Sequence, residues 1–160
     1  MVEHIYAEIG RAVISCQMFE ICFIATSEGV RMVADPAYWK TTAGCITENA
    51  RKQRTSAIVE RLQKDGAIAG DLQQRFSVFI ENRNTLIHRW FMNHGISDDP
   101  VKEQPLLALA QAVHAEAKAL TRMMAGYMME HAYPEKQEVD HQKLTNMFNL
   151  MHLDTRGAER

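Results

Sequence analysis

Residues 104–132, QPLLALAQAVHAEAKALTRMMAGYMMEHA, set Leu106, Leu109, Val113, Ala117, Leu120 and Met124 three or four positions apart, the spacing of one face of an α-helix. Pro105 reads as a first-turn proline, which gives up no helical hydrogen bond, and Tyr133-Pro134 closes the run. The same period recurs upstream. Residues 3–33 carry Ile5, Ile9, Ala12, Val13, Cys16, Phe19, Phe23 and Ile24 in that register, loosened only at Gly10. A second helix is expected over 43–65, capped by Thr41 or Thr42, with Ile46, Ala50, Ala57, Ile58 and Leu62 inward and Asp65-Gly66 as its stop. A third is expected over 70–93, with Leu72, Phe76, Phe79, Ile80, Leu86, Ile87 and Trp90 on one side and His94-Gly95 after it. A shorter amphipathic segment over 137–151 presents Leu144, Met147, Phe148 and Met151. Ala34-Asp35-Pro36-Ala37-Tyr38-Trp39 and Ser97-Asp98-Asp99-Pro100 read as connectors. No run alternates apolar and polar residues long enough for a strand, and no repeat is present. The expected fold is therefore all-α: an antiparallel helical bundle of four main helices plus a short C-terminal helix. One domain is expected over 1–153, with 154–160 as a frayed tail.

Composition sets outer bounds. At 160 residues, with 24% charged and 46% apolar residues, the chain can bury a core without staples. The net charge of −2 does not advertise nucleic-acid binding, yet it is unevenly spread. Residues 1–39 hold two basic against five acidic residues, 40–94 nine against five, and 95–160 seven against ten. The central excess is densest at Arg51, Lys52 and Arg54, with Arg61 and Lys64 downstream; it reads either as a phosphate-contacting patch or as a solvated helix face. Cys16, Cys22 and Cys45 are odd in number and follow no Cys-x-x-Cys spacing, so they read as buried small hydrophobes in a reducing compartment. No basic-then-apolar leader opens the chain, and Ser15, Gln17 and Glu20 interrupt the apolar stretch 14–24, so a cytoplasmic location away from membranes is expected. The methionines at 123, 124, 128, 129, 147 and 151 read as gap-filling core or as a self-association surface.

Chemistry concentrates at Arg83-Asn84-Thr85-Leu86-Ile87-His88. On a helical wheel of about 100° per residue, Arg83 falls inside the apolar arc of its segment. A guanidinium cannot shed its charge, so it needs an acid, a set of carbonyls or a cleft that admits an anion. Glu20, beside the apolar stripe of the first helix, is the candidate acid. Asn84 and His88 share a polar flank, with Glu81 one turn earlier. From the residues alone, that flank is either a solvated helix side or a site in which a fixed cation meets a group that titrates near neutral pH.

Arg-Asn followed by four residues to a His, late in a long helix of an all-helical chain, resembles the HEPN family (higher eukaryote and prokaryote nucleotide-binding domains), whose ribonucleases carry an Arg, four to six residues, then a His. The first helix through Gly10-Arg11-Ala12-Val13 to Phe19-Glu20 and the Leu-rich helix after the motif extend the resemblance over residues 3–132. It implies a metal-independent endoribonuclease that cleaves single-stranded RNA or tRNA by attack of the 2′-hydroxyl, with Arg83 and His88 catalytic and Asn84 orienting. Glu81 would hold the His88 tautomer, Glu20 would support Arg83, and Arg51, Lys52 and Arg54 would contact RNA. Because Arg83 and His88 stand about 140° apart on a regular helix, a composite cleft across a homodimer is expected. Family members also act as toxins neutralised by a nucleotidyltransferase-type antitoxin, in phage defence, or as non-catalytic binding modules. No cofactor and no metal are expected. Glu-x-x-His occurs at Glu138-Val139-Asp140-His141 alone, and His-Glu-x-x-His, a Gly-rich phosphate loop and Gly-x-Ser-x-Gly are missing. No short helix and tight turn precede a basic recognition helix, as DNA docking would require.

Overall fold

The computed structural model describes residues 2–95 and 99–132, and among them there are helices and no strand. The all-α expectation therefore holds. In chain order the helices are α1 (Val2–Ala34), α2 (Pro36–Thr42), α3 (Glu48–Arg51), α4 (Thr55–Lys64), α5 (Gly70–Asn84), α6 (Trp90–His94) and α7 (Pro100–Ala132); a π-helical turn, Thr85–Arg89, joins α5 to α6.

The inward residues of α1, α5 and α7 follow the sequence register closely. Ile5, Ala12, Cys16, Phe19 and Phe23 of α1 are buried, as are Phe76 and Phe79 of α5, Leu86 of the π turn, and Leu106, Val113, Ala117, Leu120 and Met124 of α7. Phe19 meets Phe23 at 5.5 Å between ring centroids, Phe76 at 5.9 Å and Phe79 at 5.0 Å, and Phe23 meets Phe76 at 4.9 Å. These are tilted and stacked separations at which aromatic pairs add to plain burial. By length and composition Glu3–Ala34 is apolar enough to cross a membrane, a property it shares with core helices of soluble proteins. Here its inner side supplies the centre of the core.

Helix directions depart from a strictly antiparallel order. Ser15 Oγ lies 2.7 Å from His114 Nδ1, Cys22 donates to the Thr121 carbonyl at 3.7 Å, and Thr26 Oγ1 donates to the Met124 carbonyl at 3.2 Å. The partner numbers rise together, so α1 and α7 run parallel. Between α1 and α5 they run oppositely, Phe23 facing Phe76 while Glu20 faces Arg83. The cause lies in residues 35–69. They leave the C-terminal end of α1, dip to the level of Glu20 at the α3–α4 junction, and return to the same end. Consequently α5 descends along α1 and α7 rises again beside it.

The single helix expected over 43–65 is instead two short ones, α3 and α4, and the stretch 34–39 expected as a connector opens a further short helix, α2. Asp35, read as a breaker, caps α2: its Oδ1 accepts from the amides of Ala37 at 2.9 Å and Tyr38 at 3.1 Å, and Pro36 takes the first position. Thr41 and Thr42 do not cap a following helix; their hydroxyls bond back to the carbonyls of Ala37 and Tyr38 inside α2. Thr47 is the cap of α3, accepting from the Ala50 amide at 3.2 Å. Ala57 is exposed and Val59 takes the inward place. The Asp65-Gly66 stop of α4 holds, with Gly66 at φ +63°.

At the other end, α7 starts earlier than expected. The Asp99 carboxylate accepts from the Val101 amide at 3.0 Å, and Pro105 lies inside the helix. The carbonyl left without a donor by Pro105 belongs to Val101, which is 78% exposed, so water can satisfy it. Cys16 is buried as expected, whereas Cys22 is partly buried and Cys45 is exposed. Met124 is buried and Met123, Met128 and Met129 partly so. The segment 137–151, the tail 154–160, Met147, Met151 and the Glu138–His141 motif lie outside the described residues.

Candidate functional site

A cavity of about 530 Å³ opens where the α3–α4 junction faces the middle of α1 and the end of α5. Arg83, Asn84 and His88 line one wall, Glu20 and Ile24 a second, and Arg51, Gln53, Arg54, Thr55 and Ser56 a third, with Phe79 and Ile80 between them. Residues far apart in sequence thus share one space, because α1 and α5 run antiparallel and the 35–69 segment folds back across them.

Arg83 is 28% exposed in its side chain and tightly held. Its Nη2 lies 3.0 Å from Glu20 Oε1, and its Nη1 donates to Asn84 Oδ1 at 3.0 Å. Its Nε is buried with no hydrogen-bond partner, so this guanidinium keeps an unused donor, and such donors are rare in folded chains. The carboxylate sought for Arg83 is therefore Glu20. Beneath the pair sits Cys16, whose thiol is pushed up to about 12 by burial, partly offset by the Arg83 charge and reinforced by Glu20.

The π turn changes how Arg83 and His88 relate. The Trp90 amide bonds to the Thr85 carbonyl, five residues back rather than four. A wider turn rotates less per residue, so the rotation accumulated between positions 83 and 88 exceeds one full turn by less than the 140° or so of a regular helix. Both side chains reach the same cavity of one chain. The sequence signal is subtle: Thr85 and Ile87 are β-branched residues that crowd an α-helix.

Glu81, offered as a support for His88, is instead ion-paired with Arg89 at 2.5 Å and does not line the cavity. Lys52 also lies outside the lining, paired with Glu48 at 2.6 Å one turn back on α3. Arg51 and Arg54 do line the cavity. Thr55, Ser56 and Gln53 were missed as site residues because a single helix drawn over 43–65 hides the start of α4; short hydroxylated residues after Arg54 were the available sign.

A separate polar cluster fixes the α3–α4 junction. Glu28, 1% exposed, accepts from the Tyr38 hydroxyl at 2.5 Å and lies 3.7 Å from Arg61 Nη2. Arg61 donates to Ser27 Oγ at 2.8 Å and to Gln53 Oε1 at 3.2 Å. The Tyr38 phenol is raised above its ordinary value, chiefly by its hydrogen bond to Glu28. α1, α2 and α4 are thereby tied together behind the cavity wall that carries Arg51 and Arg54. No protein-family model, curated protein or solved structure matches this chain.

Proposed function

We propose that the cavity is the active site of a metal-independent endoribonuclease acting on single-stranded RNA or tRNA, in a HEPN-like helical bundle. The observation that carries this reading is that Arg83, Asn84 and His88 line one polar cavity. In the reaction, the 2′-oxygen forms a bond to its own phosphorus while the bond from phosphorus to the 5′-oxygen breaks. The products are a 2′,3′-cyclic phosphate and a 5′-hydroxyl. One proton leaves the 2′-hydroxyl and one arrives on the 5′-oxygen, and the His88 imidazole is suited to take part in such a transfer. Arg83, oriented by Glu20 and Asn84, offers its spare donors to the charge that gathers on the phosphoryl oxygens.

The test is incubation of the protein with total RNA or tRNA in EDTA, beside Arg83→Ala and His88→Ala. Cleavage by the parent chain and its loss in both variants, with helicity preserved, supports the enzyme. A second reading, a non-catalytic module acting through protein or nucleotide partners, is favoured by one feature: Glu20 already neutralises Arg83 at 3.0 Å. An inert parent chain in the same assay selects that module. Within the enzyme reading, the chain works in the cytoplasm as a homodimer and is the toxin of a pair whose antitoxin is a nucleotidyltransferase-type protein; growth inhibition on expression alone checks the toxin role. The surface suited to the second copy is the outer side of α1, where Tyr6, Ile14 and Ile21 are all at least half exposed.

A further inference from the structure

Five arginines, Arg11, Arg61, Arg75, Arg83 and Arg89, each have a carboxylate within ion-pair distance. Arg31, Arg51, Arg54 and Arg122 have none among the described residues, and of these Arg51 and Arg54 line the cavity of Arg83 and His88. The lining carries three arginines against the single carboxylate of Glu20, an excess of +2 before His88 is counted. One phosphodiester supplies one negative charge, so a single phosphate leaves this cavity under-neutralised. Arg51 and Arg54 are also not on a loose loop. Arg51 ends α3, Arg54 precedes α4, and Gln53 between them is held by Arg61, itself fixed to Ser27 and Glu28. Thr55 and Ser56, which open α4 without a side-chain cap, line the same space, and the positive end of the α4 dipole lies beside it.

We propose that Arg51 and Arg54 form a second phosphate-binding subsite on the Arg83–His88 cavity, so that the cleft takes two consecutive phosphates of a single-stranded oligonucleotide. This rests on the reading that Arg83 meets an RNA phosphate. Lys52 supplies an internal control: it carries the same charge beside Arg51 but is paired with Glu48 outside the cavity.

The experiment uses 2′-O-methyl nucleotides whose 5′-phosphate is capped as its methyl ester, so that every phosphate is a diester of one negative charge; they resist attack by the 2′-oxygen and so report binding apart from cleavage. A mononucleotide with one phosphate and a dinucleotide with two are titrated by calorimetry into the full chain, into Arg51→Ala/Arg54→Ala, and into Lys52→Ala. The wild-type chain is expected to prefer the dinucleotide by roughly tenfold, one charge-assisted contact. The double variant loses that preference and Lys52→Ala keeps it. Equal affinity for the two ligands in the wild type overturns the proposal, as does absent binding of both, a preference that survives in the double variant, or an equal loss in Lys52→Ala, which would mean bulk charge alone. ADP binding as tightly as the dinucleotide also overturns it, since that points to a nucleoside diphosphate pocket. Preference lost with RNA cleavage intact removes only the subsite; cleavage absent with preference intact removes only the nuclease.

Discussion

Arg83 stands at the centre of the site because three separate groups define it: Glu20 fixes one end of the guanidinium, Asn84 another, and Nε is left without a partner. Replacing it with Ala is expected to lower RNA cleavage by about a hundredfold or more. Stability should fall by no more than about 1 kcal/mol in urea unfolding, since both members of the ion pair remain partly exposed and water screens them. Loss of the fold in Arg83→Ala would make the pair structural rather than functional. Beneath it, Cys16 gives a second expectation. Thiols alkylate as thiolates, and a thiol held near 12 stays protonated at pH 8.5, well below that value. Iodoacetamide should therefore label exposed Cys45 first and Cys16 only after unfolding, as peptide mapping would show. Rapid labelling of Cys16 in folded protein would contradict the burial that raises it. At this scale the sequence was legible where chemistry forbids alternatives. An arginine in an apolar arc needs an acid, a set of carbonyls or an anion, and of these the structure supplies the acid, Glu20. Glu81 misled because Arg89, at the end of the π turn, competes for it.

Among elements, the π turn from Thr85 to Arg89 has the most specific consequence. Such a turn adds one residue to a helix without changing the register of the two flanks. Deleting Thr85 should convert it to regular helix, keep Phe79 and Trp90 on their present faces, and leave thermal unfolding cooperative. Deleting Val78 inside α5 should rotate everything beyond it by about 100° and abolish the fold. If circular dichroism melts show the two deletions equally damaging, the turn is not the insertion described. The clamp behind the cavity gives the other expectation at this level. Tyr38→Phe removes the donor to a Glu28 that is 1% exposed, leaving a buried carboxylate oxygen unpaired, and should cost about 1–3 kcal/mol by urea unfolding. By contrast Glu116→Ala, which removes the Arg75 partner on a partly solvated face, should change stability by less than about 1 kcal/mol. The short helix α2 was hidden in the sequence because Asp35-Pro36 serves equally as a turn and as a helix start, and only packing distinguishes the two.

For the whole molecule, the parallel pair α1 and α7, with α5 running opposite to them, leaves the outer side of α1 uncovered near Ile14 and Ile21. The enzyme reading expects a dimer there. Sedimentation at micromolar concentration should give twice the chain mass, and Ile14→Glu/Ile21→Glu should give a monomer. A monomeric parent chain that still cleaves RNA would show that one copy suffices, as the shared cavity of Arg83 and His88 permits.

Helical periodicity alone determined that the chain is all-α and which faces of α1, α5 and α7 turn inward, and it placed Arg83 within an apolar arc. Burial of apolar surface enforces these points residue by residue, whatever the partners. Tertiary structure decided the rest. The parallel order of α1 and α7 follows from where residues 35–69 begin and end. The union of Arg51 and Arg54 with Arg83 depends on that segment folding back across α1. Arg83 and His88 line one cavity across a turn one residue wider than a regular helix. Each is a matter of how distant pieces settle against one another, and nothing in the local spacing of residues carries that information.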